Sequence, residues 1–275
     1  MCKNLKNRVE YDLSYSGMSS VLTKQRKILI LDRLRIDGQI VAKDLSAQLG
    51  ISEDTIRRDL RELARDGLLT RVHGGAMPLS SALGNLQVRQ NINIDEKRQL
   101  AGQALSFISP GQIIVLDGGT TTGELARLIP SEMPLTVVTH SPYIACQLND
   151  HARVDVILIG GKMFKHSGVT AGASTLRDIS KIRADLYFMG VTGVHVQYGL
   201  TTGDLEESQI KAAFLESAAD TIVMCSREKL NAVSPFKIAD LKAISGLILP
   251  TEIGSRESDA GNFFDYLYCK KEDCS

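Results

Sequence analysis

"QIIVLDGGTTTGELARL", residues 112–128, passes from a short apolar run through two glycines and three threonines into helical spacing. Strand, Gly-rich turn and helix in that order are the repeating unit of an α/β sheet. The same kind of run recurs as "LTVVT" (135–139), "VDVILIG" (154–160), "DLYFMG" (185–190), "TIVMC" (221–225) and "ISGLIL" (244–249). Segments with helical spacing, such as "DLEESQIKAAFLESAA", separate most of them. An α/β domain with a mainly parallel sheet is therefore predicted, with its ligand beyond the carboxyl ends of the strands.

Those strand ends carry the chemistry. Asp117 closes the first run, Gly118 and Gly119 let the backbone approach an anion, and Thr120, Thr121 and Thr122 offer hydroxyls at a helix start. An ordinary Gly-rich turn with a threonine cap has the same sequence, so the other strand ends matter. They contribute Ser141, Gly161, Thr201, Thr202, Asp204, Glu206 and Lys229, with Lys211 one helix further on. Hydroxyls, lysines and carboxylates at one edge suit a phosphorylated polyol: Lys229 or Lys211 for its charge, Asp117 and Glu206 for its hydroxyls. The plainer alternative makes the lysines solvated and Glu206 part of a charged first helical turn.

Upstream, "SEDTIRRDLRELARDGLLTRVHGGA" (52–76) is a second decisive stretch. Ser52 caps a helix whose start is acidic and whose inner face carries Ile56, Leu60 and Leu63. Before it, "TKQRKILILDRLRIDG" places Ile28, Leu31 and Leu34 at helical spacing. "QIV" reads as extended, and "AKDLSAQLG" is a helix with Leu45 and Leu49 inward. Two short helices joined through Gly-Ile-Ser have helix-turn-helix spacing. "LLTRVHGGA" reads as a wing strand pairing with "QIV". Ser52, Thr55, Arg57, Arg58, Arg61, Arg71 and His73 are the candidate DNA contacts, at base edges and phosphates. The competing reading is a solvated helix in which Asp59, Glu62 and Asp66 pair with the arginines.

Composition bounds these readings. The 275 residues are 43% apolar, enough for a core and for two unequal domains. No run reaches membrane-spanning length and the N-terminus lacks a secretory pattern, so a cytoplasmic chain without a membrane partner is expected. Five scattered cysteines without CxxC spacing suggest neither disulfides nor a metal, and no cofactor is expected. Residues 1–75 carry 14 Lys+Arg against 10 Asp+Glu, and residues 76–275 carry 18 against 22, so the ends stand at +4 and −4. A basic small segment on an acidic larger one fits a DNA reader joined to a separate module.

"VAKDLSAQLGISEDTIRRDLRELARDGLLTRVHGGA" (41–76), above all "TIRRDL" and "RVHGGA", resembles the winged helix-turn-helix of the DeoR family of bacterial transcriptional regulators. From about Glu96 to Leu249, the succession "DGGTTT", "VVTHS", "LIGGK", "YFMGVTGV", "GLTT" and Lys229 is similar to that family's effector domain. The resemblance implies a sugar-phosphate-isomerase-like fold that senses a phosphorylated sugar, and a homo-oligomer on double-stranded operator DNA. It implies a repressor of carbohydrate metabolism. His140, Ser226 and Thr251 stand where the family usually has Asn, Asp and a nearby Asp. The alternative, a sugar-phosphate isomerase with Glu206 as base, is weakened by Thr192 and His195, which replace the acidic loop that enzyme needs. The expected organisation is a disordered leader (1–20, with Met18 an alternative start), a winged helix-turn-helix domain (21–77), a linker (78–95), an effector domain (96–260) and a tail (261–275).

Overall fold

A computed structural model describes residues 23–78 and 84–250. The expected leader, the tail, Met18, Thr251 and three of the cysteines lie outside the described residues.

The N-terminal unit contains α1 (Thr23–Asp37), β1 (Ile40–Val41), α2 (Ala42–Leu49), α3 (Glu53–Arg65), β2 (Leu69–Val72) and β3 (Gly75–Pro78). Ile30, Leu34, Leu45, Ile56, Leu60, Leu63 and Leu69 form its core, each buried side chain contributing about 1.5–3 kcal/mol. Two details differ from expectation. Ile28 is exposed and Ile30 takes the inward place, because the inner stripe of α1 runs Arg26, Ile30, Leu34 and begins with a buried arginine. Second, β1 pairs with β3 rather than β2. The chain doubles back at His73-Gly74, so "GAMP" (75–78) is the middle strand of the antiparallel sheet. Gly75 is needed there because a Cβ would sit 1.8 Å from the Ile40 carbonyl oxygen.

The larger unit opens with α4 (Leu86–Gln90) and α5 (Ile94–Leu105). It continues through β4 (Ile113–Leu116), α6 (Thr120–Leu128), β5 (Leu135–Thr139), α7 (Pro142–Gln147), β6 (Val154–Leu158), β7 (Lys162–Phe164) and β8 (Val169–Ala171). Then come α8 (Ala173–Ile179), β9 (Ala184–Met189), β10 (Gly193–His195), β11 (Gly199–Thr202) and α9 (Leu205–Ser217). β12 (Ala218–Met224), β13 (Phe236–Ala239) and β14 (Gly246–Ile248) close it. The six predicted strands form one parallel sheet in the order β14-β12-β9-β4-β5-β6. Period-two alternation sends Ile114, Leu116, Leu186, Phe188, Ile222 and Met224 to one face. Val115, Tyr187, Met189 and Val223 go to the other. Both faces are covered over the central strands, the condition that makes such strands apolar throughout, whereas the edge strand β6 leaves Ile157 and Leu158 exposed. Two small antiparallel sheets, β10-β11-β13 and β7-β8, stand beside it. Among the described residues no helix is long and apolar enough to cross a membrane.

Candidate functional site

At the carboxyl end of β4 the chain turns through Gly118-Gly119 into α6. Gly118 is required by packing, since a Cβ would meet the Val169 side chain at 2.1 Å. α6 has no side-chain cap, so its first N–H groups remain available to an anion. This helix start lines a cavity of about 350 Å³ together with Thr192, Thr202, Asp204, Glu207, Glu228 and the β7–β8 connection at Phe164, His166 and Ser167. Arg89, Lys97, Lys211 and Lys229 reach it from four different elements.

The four cations are not equivalent. Lys211 Nζ donates to Asp117 Oδ2 at 2.6 Å with both side chains buried. Lys97 Nζ donates to the Arg89 carbonyl oxygen at 2.5 Å. Burial, and then the nearby Lys229 charge, lower the Lys97 pKa to about 8. The Lys229 side chain, in a residue 8% exposed, makes no hydrogen bond or ion pair with a described residue, and burial pushes its pKa below the usual lysine value. Arg89 is also lowered by burial, with Glu207 and Asp117 opposing the shift. Its Nε is buried without a hydrogen-bond partner, as is Thr121 Oγ1. Buried donors are ordinarily satisfied, so these orphans mark the cavity as built for a polar guest.

Asp117 differs from its expected role. It is fully buried and lies beneath the cavity wall. Oδ1 accepts from Gly118 N (2.7 Å) and His140 Nε2 (2.9 Å). Oδ2 accepts from Tyr187 Oη (2.9 Å), Gly190 N (2.7 Å) and Lys211 Nζ. No lone pair is left for a sugar hydroxyl. Burial alone would raise its pKa, but Lys211 and His140 together hold it well below the carboxylate range. His140 Nδ1 meets the Thr170 carbonyl oxygen at 2.8 Å. Both ring nitrogens are thus engaged, and the ring packs edge-on against Phe214. His140 thus ties the β5 end to β8 and Asp117.

Of the other expected effector residues, Gly118, Gly119, Thr120, Thr121, Thr122, Thr202, Asp204, Lys211 and Lys229 line the cavity. Ser141 instead caps α7 and donates to the Gly168 carbonyl oxygen. Gly161 packs against Thr175, where a Cβ would come within 2.1 Å of Oγ1. Thr201 bonds Gly193 and Ser234. Glu206 is exposed, and its neighbour Glu207 is buried at the cavity in its place. Arg89, Lys97, Glu207 and Glu228 were not foreseen. Arg89 and Lys97 precede the first strand, where a search confined to strand ends does not look.

In the N-terminal unit, Ser52 accepts from the Thr55 N–H and the two hydroxyls contact at 2.8 Å. Asp59 and Glu62, the expected partners of the α3 arginines, are engaged by α1 instead. Asp59 binds Arg26 of α1, including an Nη2–Oδ1 bond of 3.0 Å, and Glu62 binds Lys27 at 2.8 Å. Arg57 pairs locally with Glu53, and Arg61 reaches Asp54 only at 3.9 Å. Arg58 and Arg65 are exposed without an ion pair to a described residue, and Arg71 and His73 are exposed on the hairpin. α3 therefore presents a basic outer face.

Residues 26–82 match the family model described as DeoR-like helix-turn-helix domain. Residues 92–250 match the one described as DeoR C terminal sensor domain. The HTH-type transcriptional regulator GlpR of Haloferax volcanii is 35% identical over 228 residues, covering 82% of this chain and 88% of its own. The glycerol-3-phosphate regulon repressor of Escherichia coli is 30% identical over 206 residues, covering 74% and 82%. Ribose 5-phosphate isomerase A of Methanocaldococcus jannaschii superposes with a TM-score of 0.37 at 16% identity, over 50% of this chain and 55% of the isomerase.

Proposed function

This chain belongs to the DeoR family of transcriptional regulators, and from that premise we propose that it represses carbohydrate-metabolism genes and releases them on binding a phosphorylated sugar or polyol. Its relatives are named as regulators and repressors, one of them of a glycerol-3-phosphate regulon. The observation that carries the ligand class is the buried, unpartnered Thr121 Oγ1 at an uncapped helix start, with Lys229 unpaired on the same cavity. A phosphoryl group supplies acceptors for all of these donors, while Asp204, Glu207 and Glu228 suit the hydroxyls of the remainder. The isomerase alternative loses its named base, because Glu206 is exposed outside the cavity.

The test is thermal stabilisation by a panel of sugar and polyol phosphates and their unphosphorylated parents. Ligand that binds only the folded state stabilises it by RT ln(1 + [L]/Kd). A shift given by phosphorylated members alone is expected; equal shifts with the parents would remove the anion from the reading. The pH dependence is specific. A phosphate monoester is a dianion above pH ~7, so affinity falls as pH rises through the region near 8 where Lys97 loses its proton. The fall is about tenfold, the worth of one charge-assisted hydrogen bond of ~1.5 kcal/mol. Lys97→Met flattens that profile. In the unliganded protein the sign reverses. The folded pKa lies below the unfolded value of ~10.4, so the cost of burying the ammonium is full below about 8 and is relieved as pH rises.

On the DNA side, Thr55, Arg57 and Arg58 are placed to read operator base edges and phosphates, with Arg71 and His73 of the hairpin on the backbone. One short helix supplies too little specificity alone, so a homo-oligomer on repeated half-sites completes the reading. Arg58→Ala weakens operator binding by ~1–3 kcal/mol and leaves the ligand-induced thermal shift intact. A fluorescence-anisotropy titration at fixed salt measures it. Unchanged affinity would take Arg58 off the reading face.

A further inference from the structure

The cavity wall includes a segment that belongs to the connection between the two units. β3 of the winged unit ends at Pro78, and the chain re-enters the described structure at Gly84, which itself lines the cavity. α4 follows at once. Three contacts bind it to the pocket. The Leu86 N–H donates to the His166 carbonyl oxygen at 3.0 Å. The Leu86 side chain lies over Gly168, filling the space where a Cβ would stand at 2.8 Å. The Arg89 carbonyl oxygen accepts from Lys97. α4 is thus fastened by its backbone, while its one cationic side chain is left without a hydrogen bond or ion pair to a described residue.

A half-buried guanidinium whose Nε has lost water without gaining a partner is costly to hold in place. The cost vanishes when an anion enters, and Arg89 shares the cavity with Thr121, Lys229 and the start of α6. We propose that Arg89 is a ligand for the effector's anionic group and the residue through which an occupied cavity is felt by the DNA-binding unit. An anion held jointly by α6 and Arg89 bridges the sheet to α4. It thereby restricts the segment that leads directly to β3 and the wing. Lys97 and Lys229 strengthen binding from elements of the sensor unit itself. Among the described cavity residues, Gly84, Arg89 and Ile92 lie nearest in sequence to the winged unit, so Arg89 carries the binding energy that couples the cavity to that side of the chain. This inference rests on the phosphorylated-effector reading above.

The experiment compares full-length wild type, Arg89→Ala, Arg89→Gln and Lys229→Ala. The probe is the member of a glycerol, triose, pentose and hexose phosphate panel that most stabilises wild type. Three readouts are taken: ligand affinity, amide hydrogen exchange of residues 84–92, and affinity for a DNA fragment selected in vitro on the wild-type chain. In wild type, ligand slows exchange in 84–92 and changes DNA affinity. Both Arg89 variants bind the ligand at least about tenfold more weakly. At saturating ligand they show neither the slowed exchange nor the DNA response. Lys229→Ala loses affinity comparably yet responds fully once saturated, and the glutamine variant stands in if the alanine variant does not fold. Arg89 variants that bind and respond as wild type overturn the inference and leave the effector reading intact. So do variants with weakened binding but a normal response at saturation. No stabilisation of wild type by any phosphate overturns the effector reading and this inference with it.

Discussion

Asp117→Ala lowers the unfolding free energy of the sensor unit by about 3–5 kcal/mol, although the side chain does not line the cavity. The reason lies in what the substitution strands. Lys211 is 4% exposed at its side chain and His140 is wholly buried, so neither can turn to water when the carboxylate goes. The Tyr187 hydroxyl and the Gly118 and Gly190 amides lose their acceptor as well. Urea unfolding measures the effect. Adding Lys211→Met to the alanine variant recovers part of the loss by removing the orphaned ammonium. A cost below about 1 kcal/mol would mean that water replaces the carboxylate, and the hub would lose its structural role. The pH dependence follows from the depressed pKa. The contribution is complete above the unfolded value of ~3.9, declines as pH falls below it, and is gone beneath the folded value.

Asp59→Ala has its effect in the other unit and abolishes operator binding. Asp59 is 1% exposed and holds Arg26, whose own pKa is raised chiefly by that hydrogen bond. Breaking a buried pair from one side costs about 3–5 kcal/mol. A domain this small rarely has more than ~3–5 kcal/mol of core stability, so the winged unit unfolds. Its core shares no residue with the sensor cores. Calorimetry therefore shows the winged transition lost while the sensor transition and its ligand-induced shift persist. Arg26→Met with Asp59→Leu restores folding, and DNA binding returns with it because both side chains are buried inside the unit. Retained operator affinity in Asp59→Ala would show that Arg26 finds water without unfolding the domain.

The parallel sheet was legible because its central strands are buried on both faces and its strands read as apolar runs between turn signals. The small sheets were not: β7, β10 and β13 are three or four residues long, with partners set by tertiary packing. The cavity-lining turn was legible for a local reason, since Gly118-Gly119 and the threonines are consecutive. Asp117 was placed on the right strand end and given the wrong task, because its five donors come from positions as far as 94 residues away. Asp59 misled similarly. Spacing along α3 suggests a partner on α3, whereas the partner stands 33 residues earlier on α1. Arg89 left no signal in periodicity, as it becomes a site residue only when α4 folds onto the β7–β8 connection.

The position of Asp117 below the cavity floor, with its charges settled among Lys211, His140 and Tyr187, bears on how such a sensor changes its diet. The group that holds the architecture and the groups that meet the guest are different residues. Phe164, His166 and Glu228 line the cavity without bonding Asp117, so they can be exchanged without removing a partner of the buried hub. On the proposed effector reading, one scaffold keeps its anion-facing turn while the opposite wall is refitted to a new carbon skeleton, and a regulator is reassigned to another nutrient by a few loop substitutions.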